Sequence, residues 1–382
     1  MRTPRVLVTA AALLAVAGCS AAPGFTAPDA PMTEAGVGDT FAGASVADAA
    51  QFYAFGDGDL WPNCWGADDS IYTAHGDGMG FGNEFADIGA DVISGPPDAL
   101  EGETTALGDE VGQVWSGGNF TRKPTGIACV DGSLYLAVQD LRTDFNEAPA
   151  ASISRSDDGG RTWSWDTSAP MFDDGLFTTI MFLDYGKDYA NAPDDYVYAY
   201  GLDGNWRDSF DDSVPDPEDL YLARVPKGSV QDRAAWEFST GAGTWSADIA
   251  DRVPVLHDDR RLYPGTSEGG TVGAHDLSVI SQGGVVYDKP LDRYLYTSWT
   301  ELSFEFYEAP EPWGPWSLFL SRDFGPYPWT NDAHGGYGAT LPSKFISADG
   351  TTLWLQSNVC PCAPAGMSVY DFALRKVQLD AR

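Results

Sequence analysis

Residues 130–140 read VDGSLYLAVQD, and three further stretches align with them without a gap: 67–77 (ADDSIYTAHGD), 193–203 (PDDYVYAYGLD) and 291–301 (LDRYLYTSWTE). Each stretch has Asp near its start, an aliphatic residue followed by Tyr, and an acid five residues beyond that Tyr. A fifth and looser copy, 348–358 (ADGTTLWLQSN), ends in an amide. A turn followed by a short strand-like run, repeated along a chain, is typical of β-hairpins arranged around one axis.

The spacing of the copies predicts the architecture. Their aromatic anchors are Tyr72, Tyr135, Tyr198, Tyr296 and Trp354, which lie 63, 63, 98 and 58 residues apart. Each interval suits one four-stranded blade, with an insertion in the longest interval. With 43 Gly, 25 Pro and few stretches of helical period, the chain is predicted to be an all-β, five-bladed β-propeller.

The repeat also predicts where acids gather. If the aliphatic-Tyr pair lies in the second strand of each blade, then Asp77, Asp140, Asp203 and Glu301 all emerge at the end of that strand, on the face where the innermost strands begin. We expect them to form part of a ring around one mouth of the channel.

One further motif supports this architecture. Residues 156–163 (SDDGGRTW) fit the pattern Ser-x-Asp-x-Gly-x-Thr-Trp, the Asp-box seen in sialidases and other propellers. Its Asp side chain is expected to accept backbone hydrogen bonds, a Gly to take the left-handed conformation, and Trp to pack between sheets. The motif is therefore predicted to be structural.

A mouth lined by acids and aromatic side chains suits carbohydrate, and glycoside hydrolases use two carboxylates that flank the scissile bond. Asp59 precedes the first innermost strand and Asp77 follows its partner strand, so both are predicted on one face as the catalytic pair, with Glu301 as a third candidate. Further substrate contacts are expected from six residues: Trp61, His75, Asp140, Asp203, Trp299 and His275.

The N-terminus predicts export and a lipid anchor. Arg2 and Arg5 precede a short apolar run, and Ala17-Gly18-Cys19 is the pattern of a lipoprotein cleavage site. Residues 1–19 are thus interpreted as a signal peptide with a lipidated Cys19, residues 20–45 as a flexible tether, and residues 46–382 as the catalytic domain. An extracytoplasmic protein held on the cell membrane by its lipid is expected.

The formal charge of −34, from 56 acidic and 22 basic residues, makes nucleic acid and anionic lipid headgroups poor partners. A polysaccharide substrate and a monomeric state are expected. No cofactor is expected, although the acidic runs at 208–212 and 216–219 leave a structural calcium ion open.

Four cysteines remain beyond Cys19, namely Cys64, Cys129, Cys360 and Cys362, and disulfides are expected in an exported protein. Which cysteines pair is left open. Cys360 and Cys362 are expected not to bond to each other, because only Pro361 separates them.

Several segments together resemble a known family. These are Trp61-Pro62-x-x-Trp65, Asp68-Asp69, Ile71-Tyr72, Gly76-Asp77-Gly78, and the stretches 156–163, 185–189, 195–198, 222–227 and 307–316. They resemble a propeller family first catalogued as a domain of unknown function and associated with endo-D-arabinanases, glycoside hydrolase family 183. The resemblance spans about residues 50–380 and implies a five-bladed fold and D-arabinan of actinobacterial cell walls as substrate. Cys360-Pro361-Cys362 and the insertion before Glu301 depart from the family pattern.

Two other functions stay open at this point. A non-catalytic glycan-binding lipoprotein would keep the same mouth and aromatics. An exo-sialidase would need an arginine cluster for the sialate carboxylate, and no matching N-terminal arginine motif is present.

Overall fold

The computed structural model describes residues 40–209, 213–263, 276–325, 335–363 and 366–382. Within these ranges the regular structure is β-strand apart from six single-turn 3-10 helices, at Gly108–Glu110, Lys187–Tyr189, Lys227–Ser229, Arg233–Ala235, Ile249–Asp251 and Ser343–Phe345. The all-β prediction is confirmed. No helix in the described ranges is long and apolar enough to cross a membrane. Cys19 and the predicted leader lie outside them.

The strands form five antiparallel groups, which we call sheets I to V. Strands β1 (Phe41–Val46) and β2 (Phe52–Ala54) come first along the chain and belong to sheet V. Sheet I contains β3 (Asp57–Trp65), β4 (Ile71–Gly80), β5 (Ala86–Ser94) and β6 (Glu101–Leu107) in that order. Sheet II contains β7 (Phe120–Val130), β8 (Ser133–Arg142) and β9 (Ala151–Ser156), with single bridges to Ser164 and Phe172 at its edge.

Sheet III contains β10 (Thr179–Asp184), β11 (Tyr196–Leu202), β12 (Asp219–Pro226), β13 (Glu237–Gly241) and β14 (Thr244–Ser246), and β15 (Leu256–His257) pairs with the start of β12. The short strands β16 (Arg261–Leu262) and β17 (Leu277–Ser278) pair with each other. Sheet IV contains β18 (Gly284–Asp288), β19 (Arg293–Trp299), β20 (Ser303–Ala309) and β21 (Ser317–Asp323). Sheet V is formed by β22 (Tyr337–Thr340), β23 (Thr352–Asn358), β24 (Phe372–Ala381) and β1, with β2 pairing to β24 as well.

The first strands of the five sheets lie side by side in a ring. β3 contacts β7 and β22, β7 contacts β10, and β18 contacts β22. The ring is completed by a short parallel pairing of β10 with β18 through Leu183–Val285 and Asp184–Val286. The first strands of sheets I to V therefore form one ring of contacts.

Each copy of the sequence repeat contains the second strand of one sheet, because its aromatic anchor lies in β4, β8, β11, β19 or β23. The Asp at the start of a copy lies in the turn that precedes that strand. Asp69, Asp131 and Asp292 have φ of 74°, 49° and 53° there, a left-handed conformation that Asp adopts more readily than most residues. The local turn chemistry thus places the repeat in register with the sheets.

The start of the folded domain differs from the sequence prediction. Residues 41–45 were assigned to the tether, but β1 pairs with β24 from Phe41–Ala381 to Val46–Val377, and Phe41 is fully buried. The predicted boundary at residue 46 is therefore wrong. The small residues at 42–45 are typical of a flexible tether, but they also suit an edge strand when a partner strand is present.

Cys64 on β3 bonds to Cys129 on β7, so a disulfide joins the first strands of sheets I and II. Cys360 and Cys362 bond to each other, and the expectation that they would not is wrong. The turn at residues 361–362 brings their Cα atoms to 5.2 Å, within the range that a disulfide spans.

The turn at residues 156–163 is built as its pattern predicts. Asp158 Oδ1 accepts hydrogen bonds from the backbone N–H groups of Arg161 and Thr162, and Gly159 and Gly160 have φ of 74° and 83°. The bond from the Thr162 hydroxyl, followed by that from its backbone N–H, lowers the pKa of Asp158 to about 2. Trp163 packs on the cluster between sheets I and II.

Candidate active site

One end of the ring carries the predicted acids, and we call it the Asp77 face. It is the end at which the second strands β4, β8, β11 and β19 stop. Asp77 and Asp140 lie shortly before the ends of β4 and β8, and Asp203 and Glu301 lie just beyond the ends of β11 and β19. The first strands begin at the same end, so Asp59 near the start of β3 lies there too.

Asp59 is held by a bulged strand and two tyrosines. The β3–β4 register shifts on either side of Asp59, and Leu60 and Trp61 have positive φ. Asp59 Oδ2 accepts hydrogen bonds from Tyr337 Oη at 2.8 Å and Tyr370 Oη at 3.2 Å. Asp59 Oδ1 is closed to solvent and has no hydrogen-bond partner.

Gly76 makes room for this carboxylate. It lies opposite Asp59 on β4, and a Cβ at residue 76 would stand only 2.6 Å from Asp59 Oδ1. A side chain at residue 76 would therefore displace Asp59.

The environment of Asp59 favours its protonated form. Burial, followed by the charge of Asp77, raises the pKa of Asp59 to about 6, while Lys123 and the two tyrosine hydroxyls lower it only partly. A carboxylic acid with such a pKa can carry a proton near neutral pH and give it up.

Asp77 has a different partner. Its Oδ1 accepts a hydrogen bond from Lys123 Nζ at 2.7 Å, and Lys123 on β7 is only 2% exposed. Tyr370 Oη lies 3.2 Å from the backbone carbonyl of Asp77, so Tyr370 touches both predicted catalytic residues. Asp59 and Asp77 are thus neighbours in different settings: burial raises the pKa of Asp59, and the Asp77 carboxylate is paired with a cation.

Glu301 joins the same cluster from sheet IV. It forms an ion pair with Arg207 at 2.5 Å. Burial raises the pKa of Tyr337 well above its usual range, and the charge of Asp59 is the next largest cause. The charge of Glu301 makes a smaller contribution in the same direction, so both acids act on Tyr337. Asp59 and Glu301 therefore both lie near Tyr337, and Asp77 lies beside Asp59, in contact with Tyr370.

Two acids at the same repeat position have hydrogen-bond partners within the protein. Asp140 is fully buried and accepts hydrogen bonds from the backbone N–H groups of Trp115 and Ser116. Asp203 accepts one from the N–H of Phe177 and pairs with Arg252. The prediction of a substrate contact is wrong for Asp140, because its carboxylate fixes the entry to β7; for Asp203 it stays a prediction.

Three predicted substrate contacts lie in the core. Trp61, His75 and Trp299 are 0%, 0% and 1% exposed, so the prediction that they touch a sugar is wrong. The bulge in β3 turns Trp61 inward, against His75 and Phe372. His75 Nδ1 lies 2.6 Å from Asp91 Oδ2, and this pair is buried beneath sheet I. His275 lies outside the described residues.

Sequence reasoning missed Lys123, Arg207, Tyr337 and Tyr370. Of these four, only Lys123 had a signal in the sequence: it is a basic residue within a strand-like stretch of an acidic chain. The two tyrosines come from the far end of the chain and reach Asp59 only because sheet V packs beside sheet I.

Exposed aromatics also occur on this face. Phe55 is 82% exposed and stacks on Tyr53 with ring centroids 5.6 Å apart, and Phe85 is 69% exposed. Phe55 precedes β3 and Phe85 precedes β5, so both lie at the end of the ring that carries Asp59 and Asp77.

A second acid near the cluster favours its proton. Burial, followed by the charge of Asp216, raises the pKa of Asp208 to about 7. Asp208 accepts from the Ser278 N–H, and Arg261 pairs with Asp216. Within the described ranges no group of three or more His, Cys, Asp or Glu is arranged to hold a metal ion.

Residues 36–328 match the family described as Domain of unknown function (DUF4185). The chain belongs to this family. Comparison with curated proteins gives no match.

Three of the solved structures that match the chain are the following. A GH43_1 enzyme from Xanthomonas citri is 14% identical over 88% of this chain and 90% of its own, with a TM-score of 0.47. The endo-arabinase of Bacteroides thetaiotaomicron is 10% identical over 87% and 97%, with a TM-score of 0.46. The GH62 alpha-L-arabinofuranosidase of Coprinopsis cinerea is 11% identical over 89% and 97%, with a TM-score of 0.44.

Proposed function

We propose that this protein is a glycoside hydrolase whose reaction takes place at Asp59 and Asp77. The observation that carries the proposal is the pairing of two unlike carboxyl groups: Asp59, with its pKa raised to about 6, beside Asp77, which Lys123 holds by an ion pair. An acid and a carboxylate side by side are what glycosidic bond cleavage requires.

In the reaction Asp59 gives its proton to the leaving glycosidic oxygen, and Oδ2 serves because Oδ1 is closed to solvent. Asp77 either activates a water molecule or attacks the anomeric carbon. Tyr337 and Tyr370 orient the Asp59 carboxyl, and Lys123 orients Asp77. Glu301, paired with Arg207, is the third acid within the cluster.

We further propose that sheets I to V are the blades of a five-bladed propeller. The ring of first strands supports this, as does the pairing of β1 with β24, which would close the circle between the two ends of the domain. The active site would then lie at one mouth of the central channel.

The substrate we propose is D-arabinan of actinobacterial cell walls, cleaved within the chain. This specificity rests on the family resemblance, and the acidity of the chain favours a neutral polymer. Arg207 and Arg261 each pair with acids, which favours a neutral sugar over sialic acid. A lipid on Cys19 and a tether up to β1 would hold a monomeric domain near an insoluble wall polymer.

The test uses residues 40–382, which retain β1. Incubated with mycobacterial arabinan, this domain is expected to release new reducing-end oligosaccharides, and Asp59→Asn and Asp77→Asn are expected to lower the rate at least about 100-fold. Asp131→Asn, in an exposed turn at the opposite end of β8, is the matched control and should keep full activity.

No release by the wild-type domain across pH and salt would overturn the proposed activity on arabinan. Binding of arabinan without release would favour the non-catalytic glycan-binding alternative.

A further inference from the structure

A second opening lies on the Asp77 face, between sheets II and III. It is a cleft of about 850 Å³, and its described lining is the following: Trp115, Ser116, Glu147, Pro149, Ala150, Ser168, Pro170, Asp173, Asp174, Gly175, Asp203, Gly204, Val214 and Pro215. A volume of this size is typical of sites that hold a ligand of several rings.

The cleft is connected to the active site through strand β7. Its wall residues Trp115 and Ser116 donate their backbone N–H groups to Asp140, and Asp140 lies opposite Arg122 on β7. The next residue on β7 is Lys123, which holds Asp77. The cleft and the acid pair therefore both lie beside one short segment of β7, at the same end of the ring.

The lining selects the kind of ligand. It offers four carboxylates: those of Asp173 and Asp174, and those of Glu147 and Asp203, which pair with Arg142 and Arg252 behind the lining. The described lining itself contains no Lys, Arg or His. An anionic ligand would be repelled, and sugar hydroxyls would find strong acceptors. The acids are not grouped as metal ligands anywhere in the described ranges, so a cation is the weaker reading.

An aromatic side chain completes the site. Trp115 borders the cleft together with Pro149, Pro170 and Pro215, which provide apolar surfaces for the faces of sugar rings. Carboxylates with an indole ring between prolines suit a neutral oligosaccharide.

We propose that this cleft binds several sugar residues of a neutral polysaccharide on one side of the cleaved linkage. The inference rests on the proposed hydrolase function and adds to it where the polymer lies. It predicts that the enzyme prefers a long chain over a short one.

The experiment compares Trp115→Ala with Trp65→Ala, a matched control at the opposite end of β3. On arabinan, Trp115→Ala should raise KM about 3- to 10-fold, the loss of one stacking contact, while kcat on a single-sugar aryl arabinofuranoside stays unchanged. Asp173→Asn combined with Asp174→Asn, both at exposed residues, should also weaken polymer binding.

Binding is measured separately in the Asp59→Asn background, by calorimetry with arabino-oligosaccharides of increasing length. The affinity of the Asp59→Asn protein should increase with the length of the oligosaccharide. In the protein that also carries Trp115→Ala, the affinity should no longer increase with length. Hydrolysis with a KM insensitive to both cleft variants would overturn the cleft and leave the hydrolase proposal standing. Length-dependent binding that Trp115→Ala removes, without hydrolysis by the wild type, would overturn the hydrolase proposal and keep the cleft. Absence of any binding would overturn both.

Discussion

At the scale of single residues, the active site depends on a carboxyl group kept partly out of water. The raised pKa of Asp59 comes first from burial and then from the neighbouring charge of Asp77. The same environment that makes Asp59 a proton donor makes its ionised form costly for the folded protein. Function and stability therefore oppose each other at this residue.

Asp59→Asn should abolish activity and yet stabilise the protein at pH 7. The pKa of Asp59 is about 6 in the folded state and 3.8 without the fold. Its contribution to the free energy of unfolding is therefore fully present below pH 3.8 and is lost as pH rises through 6. Removing the ionised carboxylate should raise the free energy of unfolding at pH 7 by about 1–3 kcal/mol and change it little at pH 3.5.

Urea denaturation of both proteins at the two pH values measures this difference. Equal stability of wild type and variant at pH 7 would contradict a strained, buried Asp59. Asp131→Asn again serves as the control, since that side chain is exposed.

Lys123→Met should shift the pH profile of activity. The Lys123 charge lowers the pKa of Asp59, so without it Asp59 would keep its proton to higher pH. The high-pH limb of kcat/KM should therefore move upward, and kcat should fall about 10-fold or more because Asp77 loses its partner. Lys123→Arg retains the charge and should leave the high-pH limb of kcat/KM nearly in place. If the high-pH limb does not move in Lys123→Met, Lys123 acts on Asp77 alone.

At the scale of elements, the repeat unit is a turn plus a second strand, and the links between sheets lie on the first strands. The Cys64–Cys129 disulfide joins β3 and β7, the strands that carry Asp59 and Lys123. The repeat could be predicted from the sequence because turn preference and strand alternation act over a few residues. The bulge in β3 could not be predicted from the sequence, and this bulge turns Trp61 into the core.

Replacing Cys64 and Cys129 together by Ser should lower the free energy of unfolding by about 2–4 kcal/mol, because this disulfide closes a loop with a sequence separation of 65. The matched control is Cys360→Ser with Cys362→Ser, whose separation is 2 and whose loop restricts the unfolded chain little. Thermal unfolding of the two double variants gives the comparison. A larger loss in the control would contradict the assignment of the main constraint to the β3–β7 link.

At the scale of the whole molecule, the two ends of the described domain meet in sheet V. β1 supplies the strand beside β24, and the N–H groups of Thr40 and Phe41 donate to Glu308 Oε1 on β20. The N-terminal strand therefore ties sheet V to sheet IV. Without it, the end of β24 from Val377 to Ala381 would present an unpaired edge, because β2 pairs only with Phe372 to Leu374.

A domain that begins at residue 50 should be much less stable than one that begins at residue 40. Removal of β1 exposes the edge of β24 and the pocket of the buried Phe41 side chain. A melting temperature at least about 5 °C lower, or aggregation on expression, is expected. Identical melting curves would show that β1 does not close the fold.

The sequence by itself determined the all-β class and the membership of the second strands in a repeat. It also determined that Asp59, Asp77 and Glu301 lie at the same end of the sheets. These follow from local turn chemistry and from a strand period of two, which act within each repeat. Only the tertiary structure decided that Asp140 is consumed by backbone amides, that Cys360 bonds to Cys362, and that Tyr337 and Tyr370 hold Asp59. Those contacts join residues whose meeting depends on bulges, turn geometry and the packing of one sheet on the next, which no local pattern encodes.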